Sequence, residues 1–118
     1  MNASENKPEY SFSIRLKISR GSDHRTGFGP GIAQLLSGIE KSGSLNQAAK
    51  DINMAYSKAW KIIREVEDKL GFMLIERRGA HGSVLTTQGK ITLEAFNLME
   101  KEAIVAARSV FDRFIADL

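Results

Sequence analysis

Two helical patterns separated by only a few residues restrict the fold of this chain more than any other sequence feature. Ser44 precedes Gln47 by three positions, the spacing of a capping box, so a helix is predicted to begin there. Residues 53–55 interrupt it, and a longer helix is predicted from about Tyr56 to Leu70, closed by Gly71. Its buried stripe is predicted to be Ala59, Ile63, Val66 and Leu70. Two short helices joined by a tight turn, the second longer and basic at its start, are typical of a helix-turn-helix.

The residues before this pair predict a strand and one further helix. From Tyr10 to Ile18 aromatic and β-branched residues alternate with polar ones, which indicates a strand with one buried face. It is expected to pair either with the wing of its own chain or with a partner subunit. Pro30 is well placed at a helix start, and Ser42-Gly43 is predicted to end that helix.

The residues after Gly71 predict a β-hairpin and then a long helix. Apolar residues 72–75 and strand-like residues 83–86 flank a charged and glycine-containing turn, the pattern of the wing in a winged helix. From Thr87 onward the pattern is helical, and some 30 residues would extend roughly 45 Å. Such a helix is predicted to pack against a second copy through one apolar stripe, formed by Phe96, Met99, Ala103, Ala107, Val110 and Phe114.

The predicted fold class is therefore mainly α with a small β component: a winged helix-turn-helix plus a long C-terminal dimerisation helix. Three parts are expected, a disordered tail over 1–9, a DNA-binding domain with an N-terminal strand over 10–90, and the dimerisation helix over 91–118. Charge agrees with this division, because the net charges of 1–29, 30–90 and 91–118 are +2, +3 and −2. A polyanionic partner is expected to meet the first ninety residues.

Composition excludes several classes of protein. With 42% hydrophobic and 26% charged residues, the chain has the balance of a globular domain. Its apolar runs are too short to span a bilayer and its N-terminus lacks an apolar signal core, so a cytoplasmic protein without membrane contact is expected. The absence of cysteine excludes thiolate zinc sites and cysteine nucleophiles.

Candidate DNA-binding residues lie on the second helix of the pair and on the wing. Opposite the buried stripe the helix carries Ser57, Trp60, Lys61 and Arg64, and at its start Tyr56, Ser57 and Lys58 are placed for phosphate. Lys61 and Arg64 suit either guanine or phosphate. Trp60 fits equally well at the core edge and against DNA. At the wing, Arg77, Arg78 and His81 are expected to meet the adjacent groove or the backbone of the DNA.

Five short motifs in this order resemble the DNA-binding domain of the ModE family of molybdate-responsive regulators, and more distantly the LysR-type winged helix-turn-helix. They are residues 29–31 with 35–36, 42–45 with 48–50, 54–60, 74–77 and 85–89. The resemblance implies a homodimeric regulator that binds an inverted repeat in double-stranded DNA and needs no cofactor for that binding. Members also carry C-terminal molybdate-binding domains that these 118 residues do not include, so no molybdate binding is expected here.

No catalytic constellation is visible in the sequence. His24 and His81 are far apart and have no second ligand at metal spacing, so neither a metal site nor an enzyme is predicted. A transcriptional repressor is the main hypothesis. The alternatives are a winged-helix adaptor that binds protein instead of DNA and a small oxyanion sensor at the dimer interface.

Overall fold

The computed structural model describes residues 9–118, apart from the side chain of His81. Its elements follow in the order α1 (Pro30–Ser42), α2 (Leu45–Asp51), α3 (Tyr56–Leu70), β1 (Ile75–Arg77), a 3-10 turn (Gly79–His81), β2 (Ser83–Leu85) and α4 (Thr87–Phe114). β1 and β2 pair antiparallel, with Ile75 opposite Leu85. The predicted fold class, mainly α with a small β component in a winged helix-turn-helix followed by a long C-terminal helix, is confirmed. Residues 1–8 of the predicted tail lie outside the described residues.

Local chemistry sets the bounds of α1 and α2. Pro30 occupies the first turn of α1, where its missing N–H costs no helical hydrogen bond. Gly43 ends this helix in the left-handed conformation, with φ 72°. The Ser44 hydroxyl then accepts a hydrogen bond of 3.1 Å from the Gln47 N–H and so caps α2. The reciprocal half of the predicted capping box is not made, because the Gln47 side chain donates to Asp51 at 2.8 Å.

The core lies where the first three helices meet the hairpin and the first half of α4. The predicted stripe of α3 is buried in full: Ala59, Ile63, Val66 and Leu70. Phe28, just before α1, is fully buried, and its ring centroid lies 5.5 Å from that of Phe96 in α4. A tilted ring pair of this kind contributes about 0.5–1.5 kcal/mol beyond the area it buries. It fixes α4 to the same core that holds α3.

The start of α4 is joined tightly to the hairpin. Only Thr86 separates β2 from α4, and its hydroxyl accepts from the Gly89 N–H at 2.9 Å and donates to the Met73 carbonyl at 2.6 Å. A Cβ at position 89 would lie 2.1 Å from the Leu74 carbonyl oxygen. Glycine is therefore needed there for α4 to begin directly against the chain that leads into β1.

The N-terminal segment, residues 9–18, is extended but does not form the predicted strand. Its burial alternates as expected from Phe12 to Ile18, whereas Tyr10 is exposed. Its backbone pairs only at Ile18, which exchanges hydrogen bonds of 2.9 and 2.7 Å with Phe28. The segment thus meets its own chain in the loop before α1 and does not contact the wing by strand pairing. The alternating sequence predicted burial correctly, but it carried no information about a hydrogen-bonding neighbour.

This segment lies along the second half of α4. The Phe12 ring centroid is 5.2 Å from that of Phe111, and the Arg108 guanidinium lies 4.7 Å from the centre of the Phe12 ring. The molecule measures 61 × 34 × 21 Å, with a radius of gyration of 18.2 Å. A compact chain of this length would have a radius of gyration of roughly 13–14 Å. The second half of α4 therefore extends beyond the core, with the N-terminal segment beside it.

Candidate nucleic-acid interface

The outward face of α3 is polar and exposed, as the sequence predicts. Ser57, Lys61 and Arg64 lie on the side away from the buried stripe, and all three are exposed. Tyr56 and Lys58 are also exposed, in the first turn of the helix. Ala55, the residue that caps α3, supplies no side-chain hydrogen bond to the first turn. The free N–H groups of that turn leave an electropositive end next to these side chains.

The second half of α3 has a different charge. Glu65 and Asp68 are exposed there and follow closely after Arg64. Carboxylates repel phosphate, so the surface suited to a polyanion is limited to the N-terminal part of the helix. That part carries the predicted cations Lys58, Lys61 and Arg64 with no acidic residue between them.

Trp60 joins α3 to the wing. It is half-buried and packs against the core, which places it at the core edge that the sequence left as one of two alternatives. Two guanidinium groups lie over its ring, that of Arg64 at 5.4 Å and that of Arg77 at 4.9 Å from the ring centre. Arg77 also donates a hydrogen bond to the Tyr56 hydroxyl. Arg77 is therefore held against α3 by two contacts.

The wing is short and fixed at its base. The Arg78 N–H donates to the Gly82 carbonyl at 2.6 Å, and the Ser83 N–H donates to the Gly43 carbonyl at 2.9 Å. The Arg78 side chain forms an exposed ion pair of 3.2 Å with Glu76. Pairs of this kind exchange readily because they are worth little in water. Arg78 thus remains available at the tip, where His81 also lies along the chain.

Glu67 is a residue of this region that the sequence interpretation missed. Its side chain is 3% exposed, and its Oε2 atom accepts hydrogen bonds from the N–H groups of Leu74 at 2.7 Å and Ile75 at 3.3 Å. Its Oε1 atom is buried without a hydrogen-bond partner among the described residues. The carboxylate ties the start of β1 to α3. A charged residue just outside the apolar stripe was the only available signal, and on a helix it normally indicates a solvated position.

The residues predicted for dimerisation are not all on one surface. Phe96 is 1% exposed and belongs to the core of its own chain, because its ring packs on Phe28. Ala103 and Ala107 are half-buried, and the large side chains of Met99, Val110 and Phe114 are exposed. A second exposed stripe on the other side of α4 went unrecognised: Ile91, Leu98 and Val105. Their regular interval of seven residues is the signal that would have found it.

Other kinds of site find little support in this part of the chain. Within residues 9–118 no three His, Cys, Asp or Glu residues are grouped so that they could hold a metal ion. Helices long and apolar enough to cross a bilayer are likewise missing from that range. His24 is exposed in the loop before α1.

Comparison with known proteins agrees with this geometry. The family of bacterial regulatory helix-turn-helix proteins of the lysR type matches residues 33–90, which run from α1 into the start of α4. This segment is therefore similar to a LysR-type, ModE-like DNA-binding domain. The DNA-binding transcriptional dual regulator ModE of Escherichia coli K12 is 36% identical over 69 residues, 55% of this chain and 26% of that protein. The transcriptional regulator ModE of Haemophilus influenzae is 32% identical over 76 residues, 61% of this chain and 30% of that protein.

The ModE-like domain thus spans about a quarter to a third of the length of these relatives. The matched region contains the helix pair and the wing, the parts that the geometry brings together around Trp60. Most of α4 and the N-terminal segment lie outside residues 33–90.

Proposed function

We propose that this chain is a sequence-specific, double-stranded DNA-binding transcriptional regulator that acts as a homodimer and represses by occupying its operator. The observation that carries the proposal is the exposed part of α3 from its N-terminus to Arg64, where Lys61 and Arg64 face outward beside the wing. The names of the ModE relatives support the regulatory role.

In this proposal α3 enters the major groove with its N-terminal half leading. Arg64 and Lys61 reach guanine acceptors or neighbouring phosphates, and Ser57 hydrogen-bonds at the groove edge. Tyr56 and Lys58 hold phosphate at the electropositive end of the helix. The stacked guanidinium groups of Arg64 and Arg77 keep Trp60 at the flank of this surface, so both cations are oriented before DNA arrives.

The wing supplies contacts to the backbone of the same DNA. Arg78 exchanges its weak pairing with Glu76 for phosphate, and His81 at the tip lies beside it in the chain. Arg77 stays against Tyr56 and Trp60 and contributes positive charge from the base of the wing. Phosphate contacts of this kind set the position of the protein and provide affinity that falls as salt rises.

Two copies join through α4 in this proposal, so that two half-sites of an inverted repeat are read together. The exposed side chains of Met99, Val110 and Phe114 form the contact, with Ala103 and Ala107 allowing close approach. Phe96 is not part of it, because that ring belongs to the core.

A charge-reversal pair tests the proposal. Lys61→Glu combined with Arg64→Glu is expected to weaken binding to operator DNA by about 100-fold or more, since each good base contact is worth roughly 1–3 kcal/mol. The matched control is Lys90→Glu combined with Lys101→Glu, which makes the same charge change at exposed positions of α4 and is expected to keep affinity within a few-fold. Binding is measured by fluorescence anisotropy over a salt series.

The same titration separates this proposal from the adaptor alternative. A regulator binds duplex DNA with an affinity that falls steeply with salt, by a slope of about 0.9 for each phosphate contacted. Weak, salt-insensitive binding by the unmodified chain would contradict the proposal and favour an adaptor. Equal losses in the two charge-reversal variants would show that α3 is not the reading element.

A further inference from the structure

The N-terminal segment has an edge of backbone groups that its own chain does not use. Among the described residues, the backbone of 9–17 makes no hydrogen bond to other backbone, and the segment's only such bonds are those between Ile18 and Phe28. An extended chain with unpaired N–H and C=O groups is a template for another strand. Phe12, Ile14 and Leu16 are half-buried, so the segment is held in this conformation with its edge open.

The direction of the free groups follows from the single pairing that exists. Ile18 directs both its N–H and its C=O toward Phe28. In an extended chain these directions alternate with each residue, so the odd-numbered residues from 9 to 17 direct theirs to the opposite edge. That edge is the one available for a partner strand.

We propose that this edge pairs antiparallel with the same edge of a second copy, on a two-fold axis at Ser13. The inference rests on the dimer of the proposed function and adds a second contact to it. In this register Glu9 is opposite Lys17 of the second copy, so opposite charges meet at both ends of the ribbon. The inner pairs are Tyr10 with Leu16, Ser11 with Arg15, and Phe12 with Ile14.

Charge and length favour this register over its neighbours. A two-fold axis at Arg15 places that cation opposite itself, which is destabilising. An axis at Ile14 leaves Glu9 without an opposing cation. The axis at Ser13 pairs all nine residues from 9 to 17 and leaves Ile18 in its existing pair with Phe28. Side chains that favour strands also meet on the half-buried face.

The position of the segment points to a second copy as the occupant of this edge. Phe12 packs on Phe111 and lies beneath Arg108, so the segment lies directly on the half of α4 that extends beyond the core. A ribbon made from two such segments brings the exposed apolar side chains of the two α4 helices close together. The self-complementary sequence and the neighbouring helix thus favour the same partner.

A single cysteine tests the two-fold axis, since the natural chain has none. At the axis, the Cα atoms of position 13 in the two copies would be about 5.5 Å apart, within the range of roughly 4.4–6.8 Å for disulfides. Ser13→Cys is therefore expected to form a covalent dimer in most of the protein under mild oxidation. Ser11→Cys is the control: it is exposed on the same face, but its two copies would be about 14 Å apart along the ribbon. It is expected to remain uncrosslinked on a denaturing gel.

The outcomes distinguish this inference from the proposed function. The unmodified chain is first examined by light scattering at the same concentration. A dimer in which Ser13→Cys does not crosslink, or in which both cysteines crosslink equally, overturns the ribbon and leaves the DNA-binding dimer standing. A monomer overturns the dimer and the ribbon together. Crosslinking at position 13 alone supports the ribbon, and retained DNA binding by the crosslinked form shows that the trapped dimer is the active one.

Discussion

At the scale of single residues, Glu67 has the most consequence for the proposed DNA-binding surface. One carboxylate oxygen accepts two backbone N–H groups at the start of the wing, and the side chain projects from the helix that carries Lys61 and Arg64. This contact and the Arg77 guanidinium over Trp60 both join the wing to α3. The Glu67 contact is buried and Arg77 is exposed, so a substitution of Glu67 is expected to cost more stability than a substitution of Arg77.

Replacing Glu67 is expected to destabilise the fold through this contact. Glu67→Ala leaves two buried N–H donors unpaired, at about 1–3 kcal/mol for each, so the free energy of unfolding is expected to fall by about 2–6 kcal/mol. Glu67→Gln keeps an acceptor oxygen and should lose less. Urea unfolding followed by circular dichroism measures both. Equal losses in the two variants would show that the hydrogen bonds to Leu74 and Ile75 do not stabilise the wing.

The sequence predicted whether a residue is buried or exposed where the helical periodicity determines it. The 3.6-residue pattern of α3 identified Ala59 and Ile63 as buried and Lys61 and Arg64 as exposed, and the structure agrees on all four. The same pattern gave no role for Glu67, because its partners are backbone groups that only tertiary packing brings near. Phe96 was misplaced for a related reason: an apolar stripe on a long helix does not show where the core ends.

At the scale of elements, α4 combines two environments. Its first half packs into the core through Leu93 and Phe96, and its second half carries exposed large side chains on more than one side. The N-terminal segment covers part of this second half through Phe12. The sequence predicted both elements as apolar and periodic. It could not predict that they contact each other, since a contact between residues about a hundred positions apart leaves no local pattern.

The two exposed stripes of α4 give a matched pair of substitutions. Val110→Glu lies on the stripe proposed for dimerisation, and Val105→Glu lies on the other side of the helix; the two valines are 50% and 64% exposed. Because a carboxylate cannot be buried cheaply in an apolar contact, Val110→Glu is expected to weaken the dimer at least 10-fold. Val105→Glu is expected to change it little. Sedimentation equilibrium measures the dimer dissociation constant of each variant. A larger loss in Val105→Glu than in Val110→Glu would assign the interface to Ile91, Leu98 and Val105.

At the scale of the whole molecule, the elongated shape bears on how the proposed dimer would read DNA. The longest dimension is 61 Å, and α4, with 28 residues, continues well past the core. A dimer joined through the distal half of this helix holds its two α3 helices apart on opposite sides of a two-fold axis. Such a dimer matches DNA whose half-sites are inverted and separated by whole turns.

Selection of bound DNA from a random pool is expected to return an inverted repeat. Its half-site centres should lie about 10–10.5 base pairs apart, or a multiple of that spacing, because both α3 helices must meet the same side of the duplex. Sequencing of the bound fraction gives the consensus directly. Fragments enriched for one half-site alone, or for direct repeats, would contradict two-fold reading. If Lys61 and Arg64 read the DNA as proposed, the Lys61→Glu, Arg64→Glu variant is expected to enrich no DNA sequence from the pool.

Because only Thr86 lies between β2 and α4, a movement of the wing is transmitted directly to α4. The helix of 28 residues begins one residue after β2, with Gly89 pressed against the Leu74 backbone. The helix is about 42 Å long. A tilt of about five degrees at its N-terminal end therefore displaces its C-terminal end by about 4 Å. In the proposed dimer, a ligand that binds the far end of this helix is therefore expected to change the distance between the two α3 helices without contacting DNA.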